Sequence, residues 1–230
     1  MIRVTGVTKH YGTFRALDHL HIAIGRGEFV VFLGPNGSGK STLYRCLLGI
    51  TAFDGAIQIA EKDPLLEGKA VRSMIGYMPQ NTSLHEDMTV EETLGFYSEL
   101  RNDTKANAHK LLERTGLGHT LSVKVGELSG GMKQRLAFAT ALIGDPELLL
   151  LDEPTANLDE QSQLLLQQWL MELKEQGKTI VVSTHFQTGV LSLADRSITL
   201  EHGRISYMTQ LDHQSSREFQ PLSRLSVAGV

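Results

Sequence analysis

This chain of 230 residues has little cysteine and no excess of positive charge. Cys46 is the single cysteine, so an intrachain disulfide is excluded, and such sparing use is typical of proteins from a reducing compartment. The formal net charge is −4 and the isoelectric point is about 6.1. Because proteins that bind nucleic acids are usually basic, the composition predicts no nucleic-acid partner.

Long hydrophobic runs are missing as well. The longest, "FVVFLG" and "LLLL", fall far short of the roughly 20 apolar residues that a membrane-spanning helix needs. The opening segment "MIRVTGVTKHYG" lacks the apolar stretch of a secretory signal peptide. We therefore expect a protein that does not itself span a membrane, which leaves docking on a membrane protein open.

Strand and helix signals, by contrast, are clear. "IRVTGV" and "LDHLHIAI" predict antiparallel strands before a buried strand at Glu28–Leu33. "ELLLLDEP" and "KTIVVSTH" are continuous apolar runs flanked by helical segments, which is typical of parallel strands covered on both faces. Helical spacing over about 82–140 predicts an insertion, and "RSITLEHGRISYM" predicts a final strand pair. We expect an α/β domain over 1–208, with a mixed-sheet core, an antiparallel β subdomain and the helical insertion, followed by a tail over 209–230.

A glycine-rich loop follows the predicted strand that ends at Leu33. Gly34 to Ser41 match G-x-x-x-x-G-K-[ST], and a predicted helix follows, which is the context of a phosphate-binding P-loop. Bare backbone amides and the helix N-terminus attract phosphate oxygens, Lys40 adds a full charge, and Ser41 offers a hydroxyl to Mg²⁺. The alternative is a flexible glycine turn. The candidate phosphate-binding residues are Gly34, Pro35, Asn36, Gly37, Ser38, Gly39, Lys40, Ser41 and Thr42.

Two acidic residues follow the later apolar strand. In "LLLLDEP", Asp152 is placed to hold Mg²⁺, and Glu153 is placed to polarise an attacking water molecule. Alone, the pair could be a solvated acidic turn, but the glycine loop favours a nucleotide site. The guanine-reading motif N-K-x-D is not apparent downstream, which argues against a GTPase.

A second glycine pair lies in "ELSGGMKQR", from Glu127 to Arg135. Ser129, Gly130 and Gly131 precede a helix, so a hydroxyl and bare amides could face an anion. Ser129 could equally act as an ordinary helix N-cap. The residues of this segment alone leave both interpretations open.

Together these motifs resemble the nucleotide-binding subunit of an ATP-binding cassette (ABC) transporter, from about Met1 to Met208. "GPNGSGKS" resembles the Walker A motif, "LLLLDEP" the Walker B motif and "LSGGMKQR" the family signature. Further matches are "YGTFRAL", "IGYMPQ", "TANLD" and "VVSTH", which place Tyr11 on adenine, Gln80 in the Q-loop, Asp159 in the D-loop and His185 at the switch histidine. Taken singly, Tyr11 could be core, Gln80 a loop residue and His185 a capped strand end.

The resemblance implies an ATPase that uses ATP and Mg²⁺. It assigns catalysis to Lys40, Gln80, Glu153 and His185, and metal binding to Ser41, Gln80 and Asp152. It also implies that Ser129, Gly130 and Gly131 act on the ATP bound by a second cassette subunit, in a homodimer. Because the chain itself lacks membrane helices, the resemblance implies a separate integral membrane permease and a peripheral position on the cytoplasmic face of the cell membrane.

Two narrower expectations concern the class of ABC protein and its docking surface. The chain resembles exporter-type members, among them the type that serves copper-site maturation of nitrous oxide reductase. The alternative function is a soluble ABC ATPase that assists metal-cluster assembly, of iron–sulfur or copper sites. For docking, we predict that Leu84, Met88 and Val90 are exposed together and accept a short helix of the permease; alternatively, they pack the insertion's own core.

Overall fold

The computed structural model of the protein describes residues 1–81, 84–156, 158–185 and 189–211. Its strands are β1 Ile2–Tyr11, β2 Phe14–Ile24, β3 Phe29–Leu33, β4 Asp54–Ile59, β5 Ile75–Met78, β6 Leu148–Asp152, β7 Thr179–Thr184, β8 Arg196–Glu201 and β9 Arg204–Gln210. Its α-helices are α1 Lys40–Leu47, α2 Gly68–Ser73, α3 Val90–Arg101, α4 Lys105–Arg114, α5 Gly130–Leu142 and α6 Glu160–Glu175. Within the described ranges, no helix is both long and apolar enough to cross a bilayer.

A six-stranded mixed sheet in the order β5-β6-β7-β3-β8-β9 forms the centre of the fold. All neighbours in it are parallel except β8 and β9, which pair antiparallel. The leucines of β6 explain the continuous apolar run, because Leu148 and Leu150 belong to one core while Leu149 and Leu151 belong to the core on the opposite face. Both faces are therefore covered, as the run of apolar residues predicts.

A three-stranded antiparallel sheet in the order β2-β1-β4 covers one of these faces, with α1 in the same core. Its strands alternate buried and exposed residues, as in β2, where Leu20, Ile22 and Ile24 are buried. Helices α5 and α6 contribute to the core on the other face. This arrangement confirms the predicted α/β fold with a mixed sheet and an antiparallel β subdomain.

The helical segment α3 to α5 has a third core of its own. A capping box starts α3, in which the Thr89 hydroxyl accepts from the Glu92 amide and the Glu92 carboxylate accepts from the Thr89 amide. This cap turns Val90 inward, where it is fully buried beside Leu94. The prediction that Val90 is exposed with Leu84 and Met88 is therefore wrong, because the insertion uses Val90 for its own packing.

The predicted domain limits fall near the edges of the described ranges. Residue 82, where the insertion was predicted to begin, lies outside them, and so does the tail beyond residue 211. Strand β9 continues to Gln210, two residues beyond the predicted end of the domain at Met208. The division into a domain and a tail stays a prediction.

Candidate functional site

The glycine loop connects β3 to α1 and is folded tightly against neighbouring backbone. Gly39 has φ 109°, and a Cβ there would lie 2.7 Å from the Ala16 carbonyl oxygen. Gly34 has φ 148° and a Cβ there would overlap the Leu200 carbonyl. Positive φ and close backbone approach both favour glycine. The motif's glycines are thus required by the shape of the loop.

A turn from another part of the chain holds this loop in place. The Gly203 amide, in the β8–β9 hairpin, donates to the Ser38 carbonyl at 3.0 Å, and the Ser38 amide donates to the Pro35 carbonyl at 3.1 Å. A Cβ at Gly203 would lie 2.6 Å from the Ala16 carbonyl oxygen. The loop is therefore clamped between the start of β2 and the hairpin.

Lys40 lies at the bottom of the loop and is 5% exposed. Its Nζ donates to the carbonyls of Gly34 at 2.7 Å and Pro35 at 3.1 Å, and lies 3.8 Å from Glu153 Oε1. Burial lowers the Lys40 pKa, while the nearby carboxylates of Glu153 and Asp152 oppose that shift. The ammonium group is thus placed where an anion in the loop can reach it.

One cradle brings the loop together with two more distant predicted residues, Tyr11 and Gln80. Lys9 Nζ lies 4.9 Å from the centre of the Tyr11 ring. Sequence reasoning missed Phe14, which pairs opposite Tyr11 at the β1–β2 turn and is well exposed; an aromatic residue on each side of a tight turn was the available signal. The lining consists of Tyr11, Phe14, Ala16, Asn36, Gly37, Ser38, Gly39, Lys40, Ser41, Thr42 and Gln80.

The two acidic residues lie at the carboxyl end of β6, against β7. Asp152 is buried and accepts a short hydrogen bond from the Ser183 hydroxyl. Glu153 is also buried, and its Oε2 lies 2.7 Å from Nδ1 of His185. An ionised carboxylate only accepts, so this contact requires a hydrogen on Nδ1. Lys40, Glu153 and His185 thus form one connected group.

The shape and chemistry of the cradle fit a nucleotide and a magnesium ion. The Ser38 hydroxyl is buried and has no hydrogen-bond partner among the described residues, which suits an oxygen-rich ligand. Magnesium prefers carboxylate and hydroxyl oxygens together with phosphate oxygens. Ser41, at the first turn of α1, and the buried carboxylate of Asp152 supply such oxygens.

The second glycine segment lies elsewhere on the molecule. Ser129 is the N-cap of α5 and its hydroxyl accepts from the Met132 amide at 3.3 Å. Ser129 and Gly130 are exposed, Gly131 is half-buried, and none of the three lines the cradle of its own chain. Gln134, which sequence reasoning did not single out, donates to the Pro154 carbonyl at 3.0 Å and so connects α5 to the loop after Glu153.

Asp159, assigned to the D-loop, is the N-cap of α6. Its carboxylate accepts from the Ser162 amide at 2.7 Å, and the Ser162 hydrogen bonds lower the Asp159 pKa. Residue 157 of the same segment lies outside the described ranges.

Comparison with known proteins gives consistent matches. The ABC transporter family model matches residues 17–156. The Nod factor export ATP-binding protein I of Rhizobium sp. (strain N33) is 40% identical over 208 residues, which are 88% of this chain and 68% of that protein. The protein of the same name from Rhizobium etli is 41% identical, over 88% of this chain and 66% of its own length. The chain thus spans about two thirds of these relatives.

Solved structures agree with the sequence relatives. A dimeric structure of a post-hydrolysis state of the ATP-binding cassette MJ0796, bound to ADP and Pi, superposes with a TM-score of 0.86 at 29% identity, covering 92% of this chain and 99% of that one. The family model covers more than half of the chain, and the buried carboxylate of Glu153 lies 3.8 Å from the P-loop lysine that lines the cradle. The chain therefore belongs to the ABC transporter family, as an ATP-hydrolysing subunit.

Proposed function

We propose that this chain energises export through a separate membrane permease, as one of two identical subunits that close on ATP. The observation that carries the proposal is the separation of the signature segment from the cradle, since Ser129–Gly131 does not line the cradle of its own chain. A second copy can supply what each cradle lacks. The relatives described as export ATP-binding proteins support the direction of transport, and the dimeric cassette supports the pairing.

Within the cradle, we assign the residues as follows. Tyr11 stacks on the adenine, and the loop amides with Lys40 hold the phosphates. Ser41, Gln80 and Asp152 would hold Mg²⁺, which when bound supplies positive charge against the charge that develops on the phosphates. Lys40 must exchange the carbonyls of its own loop for phosphate oxygens, which is a small movement because the ammonium already lies within the loop.

Glu153 is the general base for the attacking water. Its carboxylate touches both Lys40 and His185, so a proton taken from water arrives at a group that two side chains hold in place. His185 orients the carboxylate through Nδ1, and donation from Nε2 to the γ-phosphate requires a hydrogen on that nitrogen as well. Ser129, Gly130 and Gly131 of the second subunit would close the site from the opposite side.

A groove between the large sheet and the helical segment is the docking surface we propose for the permease. Ile50 and Leu100 on its walls are 59% and 66% exposed. Of the three predicted docking residues only Leu84 lines it, and Arg72 and Arg101 contribute charge. An amphipathic helix with an acidic residue fits such a surface, because apolar contacts and a cation-bound carboxylate are both available.

Leu100→Glu tests this surface. We expect the affinity of the variant for membranes of the source cells to fall by more than about 100-fold. Docking would bury the new carboxylate at an apolar contact, where no group is placed to pair with it. The measurement is the fraction of added subunit that sediments with those membranes after their own copy is stripped.

Leu66→Glu is the matched control, since Leu66 is 84% exposed and does not line the groove. It should bind membranes as the wild type does, and both variants should hydrolyse ATP normally in isolation. Undiminished sedimentation of the Leu100→Glu subunit would place the docking surface elsewhere.

The same experiment separates the alternative function. A soluble ATPase that assists metal-cluster assembly would not sediment with membranes, whereas a transporter subunit at the cytoplasmic face would. The narrower prediction of a role in copper-site maturation of nitrous oxide reductase stays a prediction. No contact in the described ranges favours this role over that of other exporter-type subunits.

A further inference from the structure

A buried serine on β7 lies directly beside the acidic pair. Ser183 is paired in register with Asp152 of the neighbouring strand β6, and both side chains are almost completely buried. Most neighbours of Ser183 along β7 are apolar, such as Val181 and Val182. A hydroxyl at this position therefore needs partners, because an unpaired buried hydroxyl destabilises the fold.

The Ser183 hydroxyl has a hydrogen-bond partner both as a donor and as an acceptor. It donates to Asp152 Oδ1, and it accepts from the backbone amide of Glu153 at 3.2 Å. The same amide also donates to the Ser183 carbonyl at 3.0 Å. One small side chain thus touches the carboxylate that we assign to Mg²⁺ and the backbone of the residue that we assign as base.

We infer that Ser183 is a positioning residue that aims the Asp152 carboxylate at the magnesium ion and fixes the backbone of Glu153. The inference rests on the proposed role of Asp152 as a magnesium ligand. Ligating carboxylates are commonly held by a second hydrogen-bonding group, and its loss typically reduces metal affinity or activity by 10- to 100-fold. The Oδ1 atom is occupied by Ser183, which restricts the rotation of the carboxylate.

The backbone of Glu153 is the second part of the inference. Its φ is 52°, in the left-handed region, which residues other than glycine rarely adopt. The Glu153 amide donates to both the hydroxyl and the carbonyl of Ser183. Ser183 therefore also stabilises this unusual backbone conformation. This conformation determines the direction in which the Glu153 side chain leaves the strand, toward Lys40 and His185.

Tyr44 adds a support from the phosphate-binding helix. It is fully buried in α1, and its hydroxyl donates to the Val181 carbonyl of β7 at 3.1 Å. Burial raises the Tyr44 pKa well above its ordinary value, so the hydroxyl stays protonated and remains a donor. Because α1 begins at Lys40 of the glycine-rich loop, this bond connects the phosphate-binding segment to the strand that carries Ser183.

The test is Ser183→Ala, with Ser98→Ala as the matched control. Ser98 is an equally buried serine whose hydroxyl has no hydrogen-bond partner among the described residues. Binding of ATP is measured by calorimetry in EDTA and again across a series of Mg²⁺ concentrations, with the midpoint of thermal unfolding recorded for each variant. For Ser183→Ala we expect unchanged binding in EDTA and at least a tenfold rise in the Mg²⁺ concentration that gives half of the magnesium effect.

A magnesium dependence equal to that of the wild type would overturn the inference. So would an equal loss of binding with EDTA and with Mg²⁺, since that pattern indicates a general packing defect. Asp152→Asn is measured in parallel. If its ATP binding depends on Mg²⁺ as that of the wild type does, the proposed metal role of Asp152 fails. If the magnesium dependence changes in Asp152→Asn but not in Ser183→Ala, only the role of Ser183 is overturned. Should Ser183→Ala not fold, Ser183→Cys keeps the volume with a weak donor and is read by the same criteria.

Discussion

Glu153→Gln is expected to abolish ATP hydrolysis while ATP binding persists, and to turn the subunit into a dimer in Mg-ATP. The amide keeps the size of the side chain and cannot take a proton from water, so we expect hydrolysis to fall at least about 100-fold. Loss of the negative charge near Lys40, 3.8 Å away, removes an ion pair that competes with phosphate. Binding should therefore be as strong as in the wild type or stronger.

Gel filtration with light scattering, in ADP and in Mg-ATP, measures the dimer directly. Glu175→Gln is the matched control, because Glu175 is exposed near the end of α6 and should leave both hydrolysis and oligomeric state unchanged. A Glu153→Gln subunit that stays monomeric in Mg-ATP, or that hydrolyses ATP within a few fold of the wild type, would contradict the proposed mechanism.

Lys40→Ala is expected to lose nucleotide binding itself. A hydrogen bond from a charged donor contributes roughly 1.5–3 kcal/mol, so ATP affinity should fall about 10- to 150-fold and hydrolysis with it. The substitution also leaves the buried Glu153 carboxylate without its cation. Lys40→Arg should fail as well, because a planar guanidinium cannot follow the path by which Lys40 Nζ reaches the Gly34 carbonyl.

Equilibrium binding of a fluorescent ATP analogue checks this prediction, with circular dichroism to show that the variant is folded. Lys69→Ala, on the exposed face of α2, is the control and should bind as the wild type does. Affinity of the Lys40→Ala subunit within threefold of the wild type would refute the role given to Lys40.

The glycine-rich loop of the cradle was predictable from sequence because its chemistry is local. Phosphate binding requires glycine conformations, a cation and a helix N-terminus within a few residues, so the segment from Gly34 to Ser41 identifies itself. The strands were predictable for a similar reason, since a parallel strand covered on both faces must be apolar throughout, as β6 and β7 are.

Contacts between distant segments were not predictable in this way. Ser183 meets Asp152 only because β6 and β7 pair in one particular register, and neither segment alone specifies it. Val90 shows the same limit, since an apolar residue at a helix start can face either a partner or its own subdomain, and the third core decides between them. The exposed positions Ile50 and Leu100 are far apart in sequence, so the groove becomes visible only after folding.

The clamp between the glycine loop and the β8–β9 hairpin affects how binding energy is distributed. Because the Gly203 amide already bonds to Ser38, and the Ser38 amide to Pro35, both amides should exchange slowly with deuterium before any nucleotide arrives. A loop that keeps its bound shape loses little conformational entropy when ATP enters. In the proposed mechanism, the free energy of ATP binding then remains available for bringing two subunits together, and this movement is what reaches the permease.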